Sequence, residues 1–531
     1  MNIDLFPFNK INQFSKRDIS FQTQPDKFKE FLNLPFEMEA FSEKVNQRRE
    51  FPIDRNTLVE AITAQYKHAG ISDLPEKQID LLKNDNTFTV ITAHQPSLLT
   101  GPLYFIYKIV SVINLAEKLN RELDENIVPV FIIGSEDHDF EEVNHLTLFG
   151  KEIIWENEET GAVGRMSTKS LDPVLEKVYD ILGSSKYADE LKNIIQSSFK
   201  DAENYNQAVF RMVHRLFSKY NLILAVTDDI KLKQLLIPHI TKEIFERPSQ
   251  ELIVETQSRL EDLDLKGQAH AREINFFYLN EGRRDRITLE GDQYNVKDTD
   301  ITFSESELKK EIKSHPDRFS PNVVMRPIYQ ELIFPNLAYL GGGGEIAYWT
   351  ERKSQFQAFE VSFPILVRRN SVLWIGKGEE KLLEKYEVSR DELFDDEDSW
   401  IRSYIKNNSA SELEFSEEFE HFKKAYDLLA DKAKSIDSNL AKSIQASGVK
   451  AFKSFEQLSS RLIRTEKDRH ENDLSKIKKL HDKLFPQGGL QERKDNFIPF
   501  YLKHGDQFID TLKSSLDPFN PEFVVISEKE I

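Results

Sequence analysis

The chain has 531 residues, 39% of them hydrophobic and 11% aromatic, too many for one ordinary core and apolar enough to fold as two or more domains. Its 71 basic and 90 acidic side chains leave a net charge of −19, which excludes general affinity for nucleic acid or anionic membranes but leaves room for a local basic pocket. With no cysteine, disulfides and thiolate metal sites are excluded.

The opening stretch MNIDLFPFNKINQF lacks a positive region followed by an apolar one. No apolar run approaches the roughly 18 residues of a membrane span, so the expectation is a soluble, cytoplasmic chain. From about 87 to 149 strand and helix alternate: TFTVITA is a β-branched run, GPLYFIYKIVSVINLAEKLN has helical periodicity with Pro102 near its first turn, and VPVFIIG is a second apolar strand. Strand, helix and strand make a βαβ unit, the building block of parallel sheets. LILAV (222–226), VVMRP (323–327) and FPILVRR (363–369) are candidate further strands, with helical segments at 187–220 and 229–263 between them.

Two stretches interrupt this rhythm, 151–200 and 268–320, the latter with turns at EGRRDR and GDQYNV. The expected division is therefore core at 1–150, 201–267 and 321–375, insertions at 151–200 and 268–320, a helical arm at 376–490 and a terminal segment at 491–531. In the arm, Phe415, Phe419, Phe422, Tyr426, Leu429, Ala433, Ile436 and Leu440 follow 4-3 spacing, the seam of a coiled coil. The pattern breaks near Gly448, and a second helix over 449–484 carries a less regular seam, so an antiparallel helical hairpin is expected.

Three stretches are candidates for chemistry. In VPVFIIGSEDHD a buried-strand pattern runs straight into Glu136, Asp137, His138 and Asp139. In open parallel sheets ligands bind beyond the carboxyl ends of strands, so this is either an active-site floor or a charged, solvated turn. Flanking carboxylates should make His138 hold its proton more readily, which suits acid–base work. Asp137 and Asp139 are compatible with Mg²⁺, though their spacing specifies no metal site. In TAHQPSLLTGPLYFIYK, the helix entrance at Thr100, Gly101 and Pro102 offers backbone N–H groups to an anion, with His94, Gln95 and Lys108 nearby; the plain alternative is a routine strand–helix turn. In LGGGGEIAYW, Gly341, Gly342, Gly343 and Gly344 precede a helix carrying Glu345, and read as a binding loop or as a linker. The run fits neither the dinucleotide fingerprint nor the P-loop.

Together TAHQPSLLTGPLYFIYKI, VPVFIIGSEDHDFEEVNH, AREINFFY, MRPIYQELIFPNLAYLGGGGEIAYW and LQER occur in the order seen in the BshC family, the cysteine-adding ligases of bacillithiol biosynthesis, which the chain resembles over nearly its whole length. The resemblance implies an α/β Rossmann-like core with two inserted connecting-peptide regions, a C-terminal coiled-coil arm and a homodimer. It implies amide formation between L-cysteine and glucosaminyl-malate. For that chemistry Glu136, Asp137 and His138 are expected to orient the attacking amine and take its proton. Arg326 pairs a carboxylate in this reading, and Tyr104, Asn144 and Gln330, from the same motifs, complete the binding set. Forming an amide from a free carboxylate needs activation, so ATP or another nucleotide is expected, at this site or near LQERKDN in a regulatory capacity. Two other readings stay open: a different carboxylate-activating or nucleotidyl-transfer enzyme on the same core, and a coiled-coil scaffold with an inactive core.

Overall fold

The computed structural model describes residues 1–280, 282–409 and 415–528. Glu281 of the EGRRDR turn, five residues of the expected arm and the last three of the terminal segment lie outside the described residues. The chain divides into two units, Ile3–Trp374 with Gly489–Ile526, and Ile375–Gly488 with the chain ends.

In the larger unit five strands form a parallel sheet: β1 (Thr87–His94), β2 (Asn126–Ile133), β3 (Ile223–Val226), β4 (Asn336–Gly341) and β5 (Ile365–Arg368). Their order is β5-β4-β1-β2-β3. The strands are buried almost throughout, as near-continuous apolar runs require when both faces of a sheet are covered. Helix α1 (Tyr104–Glu122) crosses from β1 to β2 and buries Ile106, Ile109, Val110 and Ile113. Each such side chain contributes about 1.5–3 kcal/mol on full burial. His94 pairs with Ile133 and Ile133 with Val226, so three carboxyl ends finish level. The chain leaves β1 toward β2 on one side and comes back as β4 on the other. The crevice where a parallel sheet binds its ligands therefore opens beyond β1 and β4.

Residues 323–327 are not a strand. The Asn322 side chain accepts from the N–H groups of Val324 (2.8 Å) and Met325 (3.3 Å), and Pro327 sits in the first turn of a helix. The missing strand is β4, which runs into the first glycine of the four. Helices α2 (Ile230–Glu246), α3 (Arg326–Ile333) and α4 (Gly343–Trp349) follow β3, precede β4 and follow β4 respectively.

The 151–200 stretch begins with Lys151–Ile154, paired antiparallel with His145–Leu148, and continues as helices Asp172–Leu182 and Lys186–Phe199. Within 268–320 an antiparallel sheet forms in the order Thr302–Phe303, Gln293–Val296, Arg283–Glu290, Phe276–Asn280 and Phe319–Pro321.

In the smaller unit, α5 (Ser416–Lys434), α6 (Ser438–Arg469) and α7 (Glu471–Leu484) follow one another, and α5 and α6 pack side by side. Phe422 and Phe455 stack with centroids 5.4 Å apart, and Phe419 meets Phe452 and Phe455 at 5.1 and 4.9 Å. The break between these helices falls at 435–437, not near Gly448, because the Asp437 carboxylate caps α6 by accepting from the Asn439 N–H at 2.7 Å. Gly448 lies inside α6, where a β-carbon would come within 2.9 Å of the Tyr426 ring. Among the described residues no helix is long and apolar enough to cross a membrane.

The 489–526 segment returns to the sheet and closes the turn between β1 and α1. The buried Asn496 donates to the carbonyls of Leu99 (2.9 Å) and Gly101 (2.6 Å), and its own oxygen accepts from the Ile498 N–H. Replacing it with leucine strands three buried polar groups, so Asn496→Leu is expected to lower unfolding free energy by about 3 kcal/mol, read by chemical denaturation. A loss under about 1 kcal/mol would show that the turn holds without this tie.

Candidate active site

A cavity of about 640 Å³ opens at the carboxyl edge of the sheet, within the usual range for small-molecule sites. Its lining brings together His94, Gln95 and Tyr104 from the β1–α1 connection, Asp137, His138 and Asp139 from beyond β2, Arg326 and Gln330 of α3, and Gly342–Glu345 at the start of α4. Glu136, Thr100, Gly101, Lys108, Asn144 and Gly341 do not line it.

Asp137 is the hub. One oxygen accepts from Gln95 Nε2 at 3.0 Å and from Arg326 Nη2 at 3.3 Å, and the other accepts from the His138 backbone N–H at 2.9 Å. Arg284 stands 3.7 Å away. Burial raises the carboxyl pKa, but Arg326 and Arg284 together with the Gln95 bond outweigh it and hold Asp137 well below the ordinary range. Asp137 is thus a fixed anion and a poor proton acceptor.

Two expectations for this stretch are corrected. Burial and Arg284 lower the His138 pKa more than Asp137, Asp139 and Asp285 raise it, so His138 gives up its proton more readily than usual. Glu136 turns away from the cavity, is 3% exposed, and pairs with the fully buried Lys233 of α2. Lys233 also donates to Asp228 at 3.2 Å, and Asp228 accepts two bonds from Arg165 at 2.7 Å each. Burial opposes the Lys233 charge, but Glu136 and Asp228 outweigh it and raise its pKa. Glu136 therefore anchors the loop that presents Asp137.

The helix entrance is also not a free anion cradle. The N–H groups of Thr100 and Gly101 donate to Ser97 and Leu98 carbonyls at 3.1 and 2.8 Å, and that of Leu103 donates to the Asp495 carbonyl at 2.8 Å. Gly101, at φ 60°, would drive a β-carbon to 2.7 Å from that of Ser97. Asn144 is occupied by Trp155, accepting from its N–H at 2.7 Å and donating to its carbonyl at 3.2 Å. The fully buried Lys108 donates to the Ala93 carbonyl and to Glu345 at 2.8 Å, behind the cavity wall. Glu345 also accepts from the Gly342 N–H (2.9 Å) and the Tyr339 hydroxyl (2.7 Å). Burial raises its pKa, but Lys108 and these donors outweigh that and keep it ionised.

None of the four glycines has a positive φ. What demands glycine at 343 is closeness: a β-carbon there would lie 2.1 Å from the Asp18 carboxylate, which is buried and paired with Arg368 at 2.9 Å. Gly341 ends β4, its carbonyl taken by the Arg369 N–H.

His94 Nδ1–H donates to the Gln95 carbonyl at 2.9 Å, leaving Nε2 to accept from the Tyr104 hydroxyl at 3.3 Å. Burial and the Lys108 ammonium push its pKa down to about 4, so this imidazole is neutral near pH 7.

The lining also includes Tyr348, Glu142, Arg369 and Arg493. Arg369 is buried and paired with Glu492 through two bonds of 3.0 and 2.7 Å. Those two residues are 123 positions apart, a juxtaposition that local patterning does not report. Arg284, within the EGRRDR stretch expected to be a turn, is buried in a strand and 3.7 Å from Asp137. Among the described residues no group of three or more His, Cys, Asp or Glu is placed to hold a metal ion.

Sheet, crevice and arm define a Rossmann-like α/β protein with a coiled-coil domain. Residues 1–370 match the N-terminal Rossmann-like domain of bacillithiol biosynthesis BshC, and 372–528 match its C-terminal coiled-coil domain. The chain belongs to this family. Similar proteins, each named "Putative cysteine ligase BshC", come from Flavobacterium psychrophilum (38% identical, covering 99% of both chains), Christiangramia forsetii (35%, 99% of both) and Flavobacterium johnsoniae (36%, 99% of this chain and 100% of the other).

Removing one member of a buried ion pair leaves the other uncompensated, at a cost of about 3–5 kcal/mol, whereas removing both charges costs far less. Lys233→Met and Glu136→Gln are each expected to destabilise by about that amount in urea titrations, and the double variant to recover part of the sum. Strict additivity would mean that the two side chains do not act as a pair.

Proposed function

We propose that this chain is a ligase of bacillithiol biosynthesis that joins L-cysteine to glucosaminyl-malate through an amide bond, and that the cavity beyond β1, β2 and β4 is its active site. The observation that carries this reading is the fixed Asp137 anion standing beside Arg326 in one crevice, with Arg369 and Arg493 in the same lining. Both substrates carry an amine and a carboxylate, and amide formation requires one of each to meet. Asp137 and Glu142 hold an ammonium or orient a neutral amine. Arg326, with its planar donor pair, holds a carboxylate. His94, Gln95, Tyr104, His138, Asp139, Gln330, Gly342, Gly343 and Gly344 complete the surface against which the two groups are aligned. Alignment is itself a large part of the rate enhancement, because misplacement by about 1 Å costs on the order of 100-fold.

Activation of the carboxylate calls for ATP or another nucleotide, which supplies a better leaving group. Arg326, Arg369 and Arg493 are the residues of this chain that would hold its anionic groups. Glu136 and Lys108 act from behind the wall, and Glu345 from within the lining, by holding the loops in register.

The test is the low-molecular-weight thiol profile of a deletion strain, read by labelling and mass spectrometry, with complementation by the natural chain and by Asp137→Ala. Loss of bacillithiol with build-up of glucosaminyl-malate, restored by the natural chain and reduced at least 100-fold with Asp137→Ala, is the expected result. Bacillithiol unchanged by deletion would overturn the assignment, and full rescue by Asp137→Ala would remove the chemistry from this cavity.

The arm supports a second proposal, a homodimer. Leu428, Leu429, Ile436, Leu440, Val449, Leu458 and Leu462 remain exposed after α5 and α6 have packed together, an apolar surface that a second copy would cover. Light scattering behind size exclusion should give a dimer for the natural chain and a monomer for the Leu458→Glu, Leu462→Glu double variant. A monomeric natural chain would refute it.

A further inference from the structure

Arg284 is an unusual residue to find against a histidine. It lies in Arg283–Glu290 of the antiparallel sheet, 6% exposed, opposite Leu279 of the neighbouring strand. Its Nη1 is 2.7 Å from Nδ1 of His138. The rest of the guanidinium is also held: Nε donates to Ser320 Oγ at 2.9 Å, Nη2 donates to the Pro321 carbonyl at 3.1 Å, and the group lies 3.9 Å from the centre of the Phe277 ring. Held on three sides, it has no alternative position from which to avoid His138.

A guanidinium has five N–H donors, no acceptor, and does not lose its proton in proteins. Two N–H groups cannot face one another at 2.7 Å. Nδ1 of His138 must therefore present a lone pair, and the neutral ring must carry its proton on Nε2. We infer that Arg284 is a positioning residue which fixes His138 as the Nε2–H tautomer, making His138 a hydrogen-bond donor to the cavity and not its proton acceptor. This rests on the cavity being the active site, as proposed above.

The surroundings agree. The charged groups facing His138 are Arg284 and Asp285 from the sheet and Asp137 and Asp139 from its own loop, with the Phe277 ring at 5.3 Å. The nearest carboxylate oxygen, on Asp137, stands 3.7 Å from Nδ1 and accepts instead from the His138 backbone N–H. Among the described residues no hydrogen bond engages Nε2 of His138. His94 is the opposite case: its Nδ1–H is spent on a carbonyl and its Nε2 accepts. The cavity thus holds two neutral imidazoles of opposite tautomer, one accepting and one donating. An Nε2–H on a lining residue of such a site is suited to stabilise negative charge that develops on a carboxyl oxygen when an amine adds to it. No proton is transferred to or from His138 in that role.

The experiment is nitrogen NMR of the full-length chain labelled with ¹⁵N-histidine, in the absence of substrates, across a pH titration. The chain has 12 histidines, and His138→Gln identifies the signal. The expected result is an Nε2–H tautomer for His138 in the natural chain. In Arg284→Met, which keeps an unbranched side chain without the charge, both tautomers should populate and the His138 midpoint should rise by about one pH unit. An Nδ1–H tautomer in the natural chain would overturn the inference, as would a tautomer and midpoint unchanged in Arg284→Met. If that variant does not fold, Arg284→Lys retains a cationic donor, and a mixed tautomer population there with the natural chain still purely Nε2–H supports the planar-fork geometry. An unchanged Nε2–H population in Arg284→Lys would show that any cation suffices and would overturn the specific role of arginine. Because the reading uses no substrate, it can fail while ligase activity stands, and ligase activity can fail while it stands.

Discussion

The Asp137 carboxylate, held between Arg326 of the core and Arg284 of the antiparallel sheet, is the interaction on which the rest of the site depends. It is where the β2 loop, α3 and the sheet formed within 268–320 meet. A charge left buried without its partners would cost several kcal/mol, so the three elements are coupled in their placement. That coupling also decides the chemistry of Asp137. A carboxylate stabilised by two guanidiniums and an amide is an anchor, and the pKa that makes it a good anchor makes it a weak base.

Around the cavity the same logic recurs: Glu136 with Lys233, Glu345 with Lys108, Glu492 with Arg369, Asp18 with Arg368. Desolvation takes back much of what each pair gains, so the pairs are poor explanations of stability. Their arrangement explains something else. Each ties a segment near the carboxyl edge of the sheet to a partner distant in sequence. A strand end tied this way presents the next residue at a defined position, which apolar packing alone does less sharply.

Much of the fold was legible because its signals are local. The β1–α1–β2 unit follows from a β-branched run, a helical period with proline in its first turn, and a second apolar run. The arm follows from aromatic residues at 4-3 spacing. What was misread turned on side-chain to backbone bonds that periodicity does not see: Asn322 closing the turn at 323–327, and Asp437 setting the hairpin break ahead of Gly448. In the site, the charged run beyond β2 marked the right strand end, yet only Asp137, His138 and Asp139 face the cavity. Which of four consecutive ionisable residues turns inward depends on Lys233, nearly a hundred positions away. Arg284 and Arg369 were equally out of reach, because their roles are defined by Asp137 and Glu492 and not by their neighbours in the chain.

The charge of the cavity differs in kind from that of the chain. With a net charge of −19 the surface as a whole repels polyanions, whereas the cavity lining mixes Asp137, Asp139, Glu142 and Glu345 with Arg326, Arg369 and Arg493. A lining of one sign would hold one end of a zwitterion and repel the other. A mixed lining, with Asp137 fixed by Arg326 and Gln95 and Arg369 by Glu492, offers a partner to both ends. In the reading proposed above both substrates carry amine and carboxylate together, so such a lining selects for orientation as much as for binding. It aligns an amine of one molecule with a carboxylate of the other while the opposite pairing stays out of register.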